Sequence, residues 1–167
     1  YNTAYIYVFY NNYIKAVEYL NRYIELNPKR KNGLKTRGYV LLKLNQVRRA
    51  ISDFSKVLEM EKSDYYSLFW RGCAYIKLSK PGLARKDFNG IIKRSPIIIE
   101  SNKIPLVLLK IRSALITAVI QKDTLLKAEY LKELDKFIIS HPTNYLAYFI
   151  RGAVNHDRNP DYAIRDY

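Results

Sequence analysis

The 167 residues predict an all-α chain made of repeated antiparallel helix pairs, and three observations carry that prediction. Residues recur at a step of 34: Arg37-Gly38 returns as Arg71-Gly72, Ala50 as Ala84, and Asp53-Phe54 as Asp87-Phe88. Between those anchors, apolar residues fall at helical spacing, as in Leu68 to Ile76 and again in Ala84, Phe88 and Ile91. Breakers separate the helical stretches: Ser79-Lys80-Pro81-Gly82 closes one, and Pro96 ends the next, since proline cannot continue a helix interior. A fixed period with one helix pair per step means that each unit buries its apolar face against its neighbours.

Taken in order, the segments justify themselves through the same positions. Residues 1–30 are a partial unit with Ala4, Tyr7, Ala16, Leu20 and Pro28 in the frame. Residues 31–64 repeat it with Leu34, Gly38, Ala50 and Phe54, although Leu41 replaces the aromatic and Lys62 the proline. Residues 65–98 match best, with Gly72, Tyr75, Ala84, Phe88 and Pro96. A lone helical glycine costs ~1 kcal/mol, so Gly38 and Gly72 need a packing reason. The expected reason is a close approach to a small residue on the second helix, Ala84 in the third unit. Residues 99–110 read as an insertion, in which Ser101, Asn102 and Pro105 would cap and start an extra turn or lengthen the next helix. Residues 111–144 form a degenerate unit: Ala118, Leu134, Phe137 and Pro142 fit, but Tyr130 stands where a small residue belongs, and Gln121 where an aromatic does. Residues 145–167 return to type with Arg151-Gly152, a break at Asn159-Pro160-Asp161, then Ala163 and Asp166-Tyr167.

The set of small, aromatic and proline positions resembles the tetratricopeptide repeat over nearly the whole chain. Longer repeats of the armadillo and HEAT kind, and the pentatricopeptide pattern, fit this spacing less well. The resemblance implies a right-handed superhelical solenoid in which the first helix of each unit lines a concave groove. Mapped on the 34-residue frame, Tyr5, Lys35, Tyr39, Lys43, Tyr66, Phe69, Cys73, Lys77 and Phe149 would lie on or near it. Aromatic residues suit protein-binding surfaces, and the groove would take an extended peptide or a helix of another protein. A bland alternative stands beside this for each residue, since aromatics at helical spacing usually pack inside; Trp70 is the clearest case. One subtype of the family grips chaperone tails with Lys, Asn and Arg side chains. Its positions here hold Tyr1, Tyr5, Thr36, Tyr66 and Trp70, or one unit later Lys35, Tyr39, Trp70, Arg112 and Ile116, and neither set forms that clamp.

Composition narrows the function classes. The apolar share of 49% supports a packed core, and one cysteine excludes an internal disulfide framework. The stretch from Ile104 to Ile120 is broken by Lys110 and Arg112 and is shorter than the ~20 residues of a membrane span. An intracellular, cytoplasmic protein is expected, and the absence of an initiating Met with a stop inside a helical pattern suggests a fragment of a longer one. No catalytic constellation, metal spacing or phosphate loop is present, so neither enzyme chemistry nor a cofactor is expected. His141 precedes Pro142 and suits a helix C-terminus rather than a ligand. The net charge of +14 comes from 29 basic against 15 acidic residues, scattered along the chain. It points to an acidic protein partner and, as the alternative, to a basic module that binds RNA.

One further regularity is chemical. Arg37, Arg71 and Arg151 precede the small residue in three units, and the same units carry Asp53, Asp87 and Asp166 before the second-helix aromatic. Arginine and aspartate occur together or not at all, which predicts a bidentate pair at the helix seam, within a unit or across to the adjoining one.

Overall fold

The computed structural model describes residues 1–94 and 104–155, and every element among them is a helix. The order is α1 (Asn2–Phe9), α2 (Tyr13–Leu26), α3 (Lys31–Lys43), α4 (Val47–Met60), α5 (Tyr65–Lys77), α6 (Pro81–Arg94), α7 (Ile104–Gln121), α8 (Thr124–Ser140) and α9 (Tyr145–Asn155). Contacts divide the chain into two compact units, Tyr1–Asp87 and Phe88–Tyr167. Pro96, Ser101, Asn102, His156, Asn159, Pro160, Asp161, Ala163, Asp166 and Tyr167 lie outside the described residues.

In the first unit, tight turns reverse the chain after every helix. Asn11, Asn45 and Ser79 follow the first helix of each pair at φ of 56°, 58° and 55°, and they stand 34 residues apart. A left-handed residue there lets the next backbone N–H reach back, as Asn12 does to Tyr7, Gln46 to Leu41 and Lys80 to Tyr75, each at 2.8 Å. Side-chain caps start one second helix and one first helix. Asn12 Oδ1 accepts from the Lys15 N–H of α2, and Asp64 Oδ1 accepts from the Ser67 N–H of α5 at 2.8 Å. Because the turns are short, the α1–α2, α3–α4 and α5–α6 turns share one end of the unit, and the α2–α3 and α4–α5 turns share the other.

The core is the stripe that the repeat frame predicts. Ala4, Ala16, Leu20, Leu34, Ala50, Phe54 and Ala84 are all buried. Gly38 owes its place to a different neighbour from the one expected. A Cβ there would meet Phe54 Cε1 and Cζ at 2.8 Å, so the glycine makes room for the ring of its own unit rather than for a small residue. The frame position is right, and the contact is glycine to aromatic. Gly152, at the same frame position, is exposed and meets no atom of the described residues within 4 Å.

The second unit holds α7, α8 and α9 around Leu108, Ile111, Leu115, Leu134, Phe137, Ala147 and Ile150. Its turn repeats the left-handed residue at Lys122, φ 54°, nine residues beyond the 34-residue step from Ser79. Helix α8 has 17 residues against 14 in α4. The extra length is therefore split, with most before the turn and three residues in the second helix. Residues 104–110 of the expected insertion belong to α7 itself, lengthening that first helix. The longer α8 explains Tyr130: counted from the turn it no longer falls where Ala84 does, and it is buried as part of the core. His141 closes α8, its ring stacked on Phe137 at 4.4 Å and its Nδ1 beside the Phe137 carbonyl, as a helix-end histidine should be.

Candidate functional site

The arginine and aspartate regularity becomes a three-helix clip. Arg37 on α3 donates Nε to Asp53 Oδ2 and Nη2 to Asp53 Oδ1 on α4, both at 2.8 Å. Its remaining Nη1 donates to Asn21 Oδ1 on α2, also at 2.8 Å. Arg71 repeats this one unit on, with Asp87 of α6 at 2.8 and 2.7 Å and Ser55 Oγ of α4 at 3.0 Å. Each guanidinium thus binds the second helix of its own unit bidentately and that of the preceding unit with its third arm. The carboxylates hold both guanidinium pKa values above their ordinary range against the cost of desolvation. In the second unit, Arg151 makes the backward contact, to Asp135 Oδ1 at 3.2 Å, and lies over the Tyr148 ring at 5.3 Å, while Asp166 lies outside the described residues. The acceptors Asn21, Ser55 and Asp135 were not singled out by sequence. They stand 16 residues before each arginine, a spacing that would have found them.

The clips tie α3 and α5 to the second helices on either side of them, and α1, α3 and α5 carry an aromatic wall. Tyr1 hydrogen-bonds Thr36 across to α3 at 2.9 Å and packs near Tyr5 and Tyr23, with ring centroids at 6.3 and 5.1 Å. Tyr39 on α3 meets Trp70 on α5 edge-on at 5.1 Å, and Tyr66 sits 6.1 Å from the same indole. Trp70 is buried and packs edge-on against the first helix of the preceding unit. Lys43 Nζ lies over the Tyr39 ring at 5.5 Å. Desolvation pushes the phenols of Tyr39 and Tyr66 far above the ordinary tyrosine pKa. The neighbouring phenols of Tyr5 and Tyr13 add to this at Tyr39, and those of Tyr39, Tyr5 and Tyr1 at Tyr66. Yet Tyr66 keeps 40% of its surface open to solvent, and Tyr5 59%. Tyr39 and Tyr66 are thus crowded by protein, yet Tyr66 and its neighbour Tyr5 remain accessible.

The nine residues expected to line the groove separate accordingly. Tyr5, Tyr39, Tyr66 and Lys43 belong to this wall. Lys35 is half-buried at its base, bonded to Asp64 Oδ2 at 3.0 Å, so it steadies the α5 cap. Lys77 is exposed at the end of α5. Phe149 is half-buried on α9 of the second unit. For Phe69 and Cys73 the expectation is corrected: both are buried to within 1%. Their positions on α5 turn them into the core, where the bland reading of an aromatic at helical spacing holds. Tyr1 joins the wall without having been expected there. Its signal was the 34-residue frame itself, which aligns it with Lys35 and Phe69 on the same helical face.

Consecutive antiparallel helix pairs, joined by matching left-handed turns and clipped at two seams of the first unit, define a helical-repeat fold. A family model for the tetratricopeptide repeat matches residues 1–30. The fold is similar to a crystal structure of a tetratricopeptide repeat protein from Parabacteroides merdae, with a TM-score of 0.67 and 17% identity. That likeness covers 93% of this chain and 56% of the other, so the chain spans little more than half of that protein's length. No curated protein matches the chain. The fold is that of a tetratricopeptide-type helical repeat, and the family's model matches its first 30 residues.

Proposed function

We propose that the chain is a non-catalytic scaffold that holds a peptide or helix of a partner protein against the aromatic wall of its first unit. The family suggests protein–protein interaction, and its members are generally non-catalytic. Among the described residues, no group of His, Cys, Asp and Glu is placed to hold a metal ion, and no helix is long and apolar enough to cross a membrane. The observation that carries the reading is the gathering of Tyr1, Tyr5, Tyr39 and Tyr66 on the first helices, with Tyr1, Tyr5 and Tyr66 exposed. Four phenols offer flat apolar area with a hydroxyl at each edge, which suits a backbone in an extended or helical conformation. Lys43 stands beside Tyr39 and gives the wall a positive margin for an acidic residue of the partner. The residues at the tail-clamp positions, Tyr1, Tyr5, Thr36, Tyr66 and Trp70, form this wall instead, which supports a ligand other than a chaperone tail.

The test is a peptide-display selection on the intact chain, followed by affinity measurement on Tyr5→Ala and Tyr66→Ala. Both residues are exposed enough for truncation to leave the helices folded, as circular dichroism will show. Selected peptides should lose about tenfold or more on each variant, since buried interface aromatics dominate binding energy. Peptides that bind both variants as well as the parent would remove the wall from the binding surface.

A further inference from the structure

The fold sorts charge in a way that the sequence order hides. In the first unit, Tyr1–Asp87, there are 17 Lys and Arg against 7 Asp and Glu. Four of the acids are already committed inside the unit: Asp53 to Arg37, Asp87 to Arg71, Asp64 to Lys35 and Glu61 to Lys31. The others are Glu18 in the middle of α2, and Glu25 and Glu59 near the ends of α2 and α4. Glu25, Glu59, Glu61 and Asp64 therefore gather at the end of the unit where second helices finish. The opposite end, formed by the α1–α2, α3–α4 and α5–α6 turns, has no acidic residue: none occurs in 1–17, 26–52 or 65–86.

That end carries Arg48, Arg49, Lys77, Lys80 and Lys86, all exposed. Arg48 and Arg49 occupy the first turn of α4, and neither α4 nor α6 has an acidic residue in its first turn. Folding does not account for this placement. Cations at a helix N-terminus oppose the macrodipole, and acidic residues are the favoured choice there. The same edge begins with Phe9 and Tyr10, 77% and 72% exposed, set edge to face at 5.4 Å. In the next two units, the Phe9 position holds Lys43 and Lys77. Two uncovered aromatic rings thus lead into a track of cations along three identical turns.

We infer that this turn edge is a binding surface for single-stranded nucleic acid, separate from the aromatic wall. Phosphates would follow the cations of the second and third turns, and a base would stack on Phe9 or Tyr10. An acidic protein segment would satisfy the cations as well; exposed rings at the head of an acid-free cation track match the alternation of base and phosphate in a single strand, which favours nucleic acid. The inference does not depend on the wall binding a peptide, because Lys43 alone is common to the two surfaces and no tested residue is shared.

The experiment measures binding of the whole chain to a fluorescent oligouridylate of about 15 nucleotides across a salt series. Three exposed cations of the edge, Arg48, Arg49 and Lys80, are changed together to Gln. A control changes Lys29, Arg30 and Lys62, equally exposed but at the acidic end, so that net charge falls by the same amount. The edge variant should reduce the slope of log K against log salt by about two, at ~0.7 per lost phosphate contact, and the control should leave it nearly unchanged. A second variant, Phe9→Ala with Tyr10→Ala, keeps every charge and should weaken binding by about tenfold through lost stacking. Three results would overturn the inference: no binding at low salt, equal loss in the edge and control variants, or a polyglutamate peptide that binds as tightly as the oligonucleotide. The last would assign the edge to an acidic protein.

Discussion

Removing the Asp53 carboxylate tests how much the arginine clip contributes to the fold. The Asp53 side chain is 4% exposed and that of Arg37 18%, so both ends of the pair are largely out of water. Asp53→Ala deletes two charge-assisted hydrogen bonds of 2.8 Å and leaves the guanidinium facing α4 with only its Asn21 contact. Net contributions of ~1.5–3 kcal/mol for a hydrogen bond to a charged group, together with the cost of stranding a mostly buried cation, give a loss of about 2–4 kcal/mol. Changing both partners, Arg37→Met with Asp53→Leu, removes the stranded charge and should cost about 1–2 kcal/mol less than Asp53→Ala alone. The assay is urea unfolding followed by fluorescence of Trp70. This is the only tryptophan and lies in the same unit, so the signal reports that unit's transition. A loss below about 0.5 kcal/mol for Asp53→Ala, as for an exposed pair, would refute the clip as a structural element. So would a double variant no more stable than the single one.

Three other outcomes follow from the geometry. Gly38→Ala places a methyl 2.8 Å from the fully buried Phe54 ring and should destabilise the first unit by about 1–3 kcal/mol in the same urea assay. Ser79→Gly, at φ 55°, relieves a left-handed serine and should raise stability by about 0.5 kcal/mol, whereas Ser79→Val should lower it. In an alkaline spectrophotometric titration, Tyr39 and Tyr66 should ionise well above the ordinary tyrosine range. Their folded pKa values lie above the unfolded value of about 10, so the unfolded chain loses protons first, and the stability of the first unit should fall as pH rises past that value. Tyr39→Phe and Tyr66→Phe together should flatten that fall.

Positions that depend on the repeat were legible before any coordinates, because each is fixed by a short-range requirement. Gly38, Ala50, Phe54 and Ala84 are buried where the period placed them, and Arg37 and Arg71 meet Asp53 and Asp87 in their own units. What escaped was whatever depends on rotation about a helix axis. Tyr66 and Phe69 are three residues apart on α5, and their frame positions looked equivalent, yet one stands in the wall and the other in the core. A period of 34 assigns a residue to a helix and a turn to an end. It does not measure the angle at which that helix meets its neighbours. The degenerate unit shows the same limit, since three extra residues in α8 moved Tyr130 relative to the turn without disturbing Phe137. Charge was hidden for another reason: its two classes alternate along the sequence and separate only when every second turn is brought to the same end.

The central claim is that the first unit works through the open face of its first helices. The most direct measurement is hydrogen–deuterium exchange and affinity for peptides selected on the parent chain, compared across Tyr66→Ala and the Arg48, Arg49 and Lys80 edge variant. The account predicts that peptide binding slows exchange in α1, α3 and α5, falls about tenfold or more in Tyr66→Ala, and is unchanged in the edge variant. Protection confined to α2 and α4, with full affinity retained in Tyr66→Ala, would contradict it.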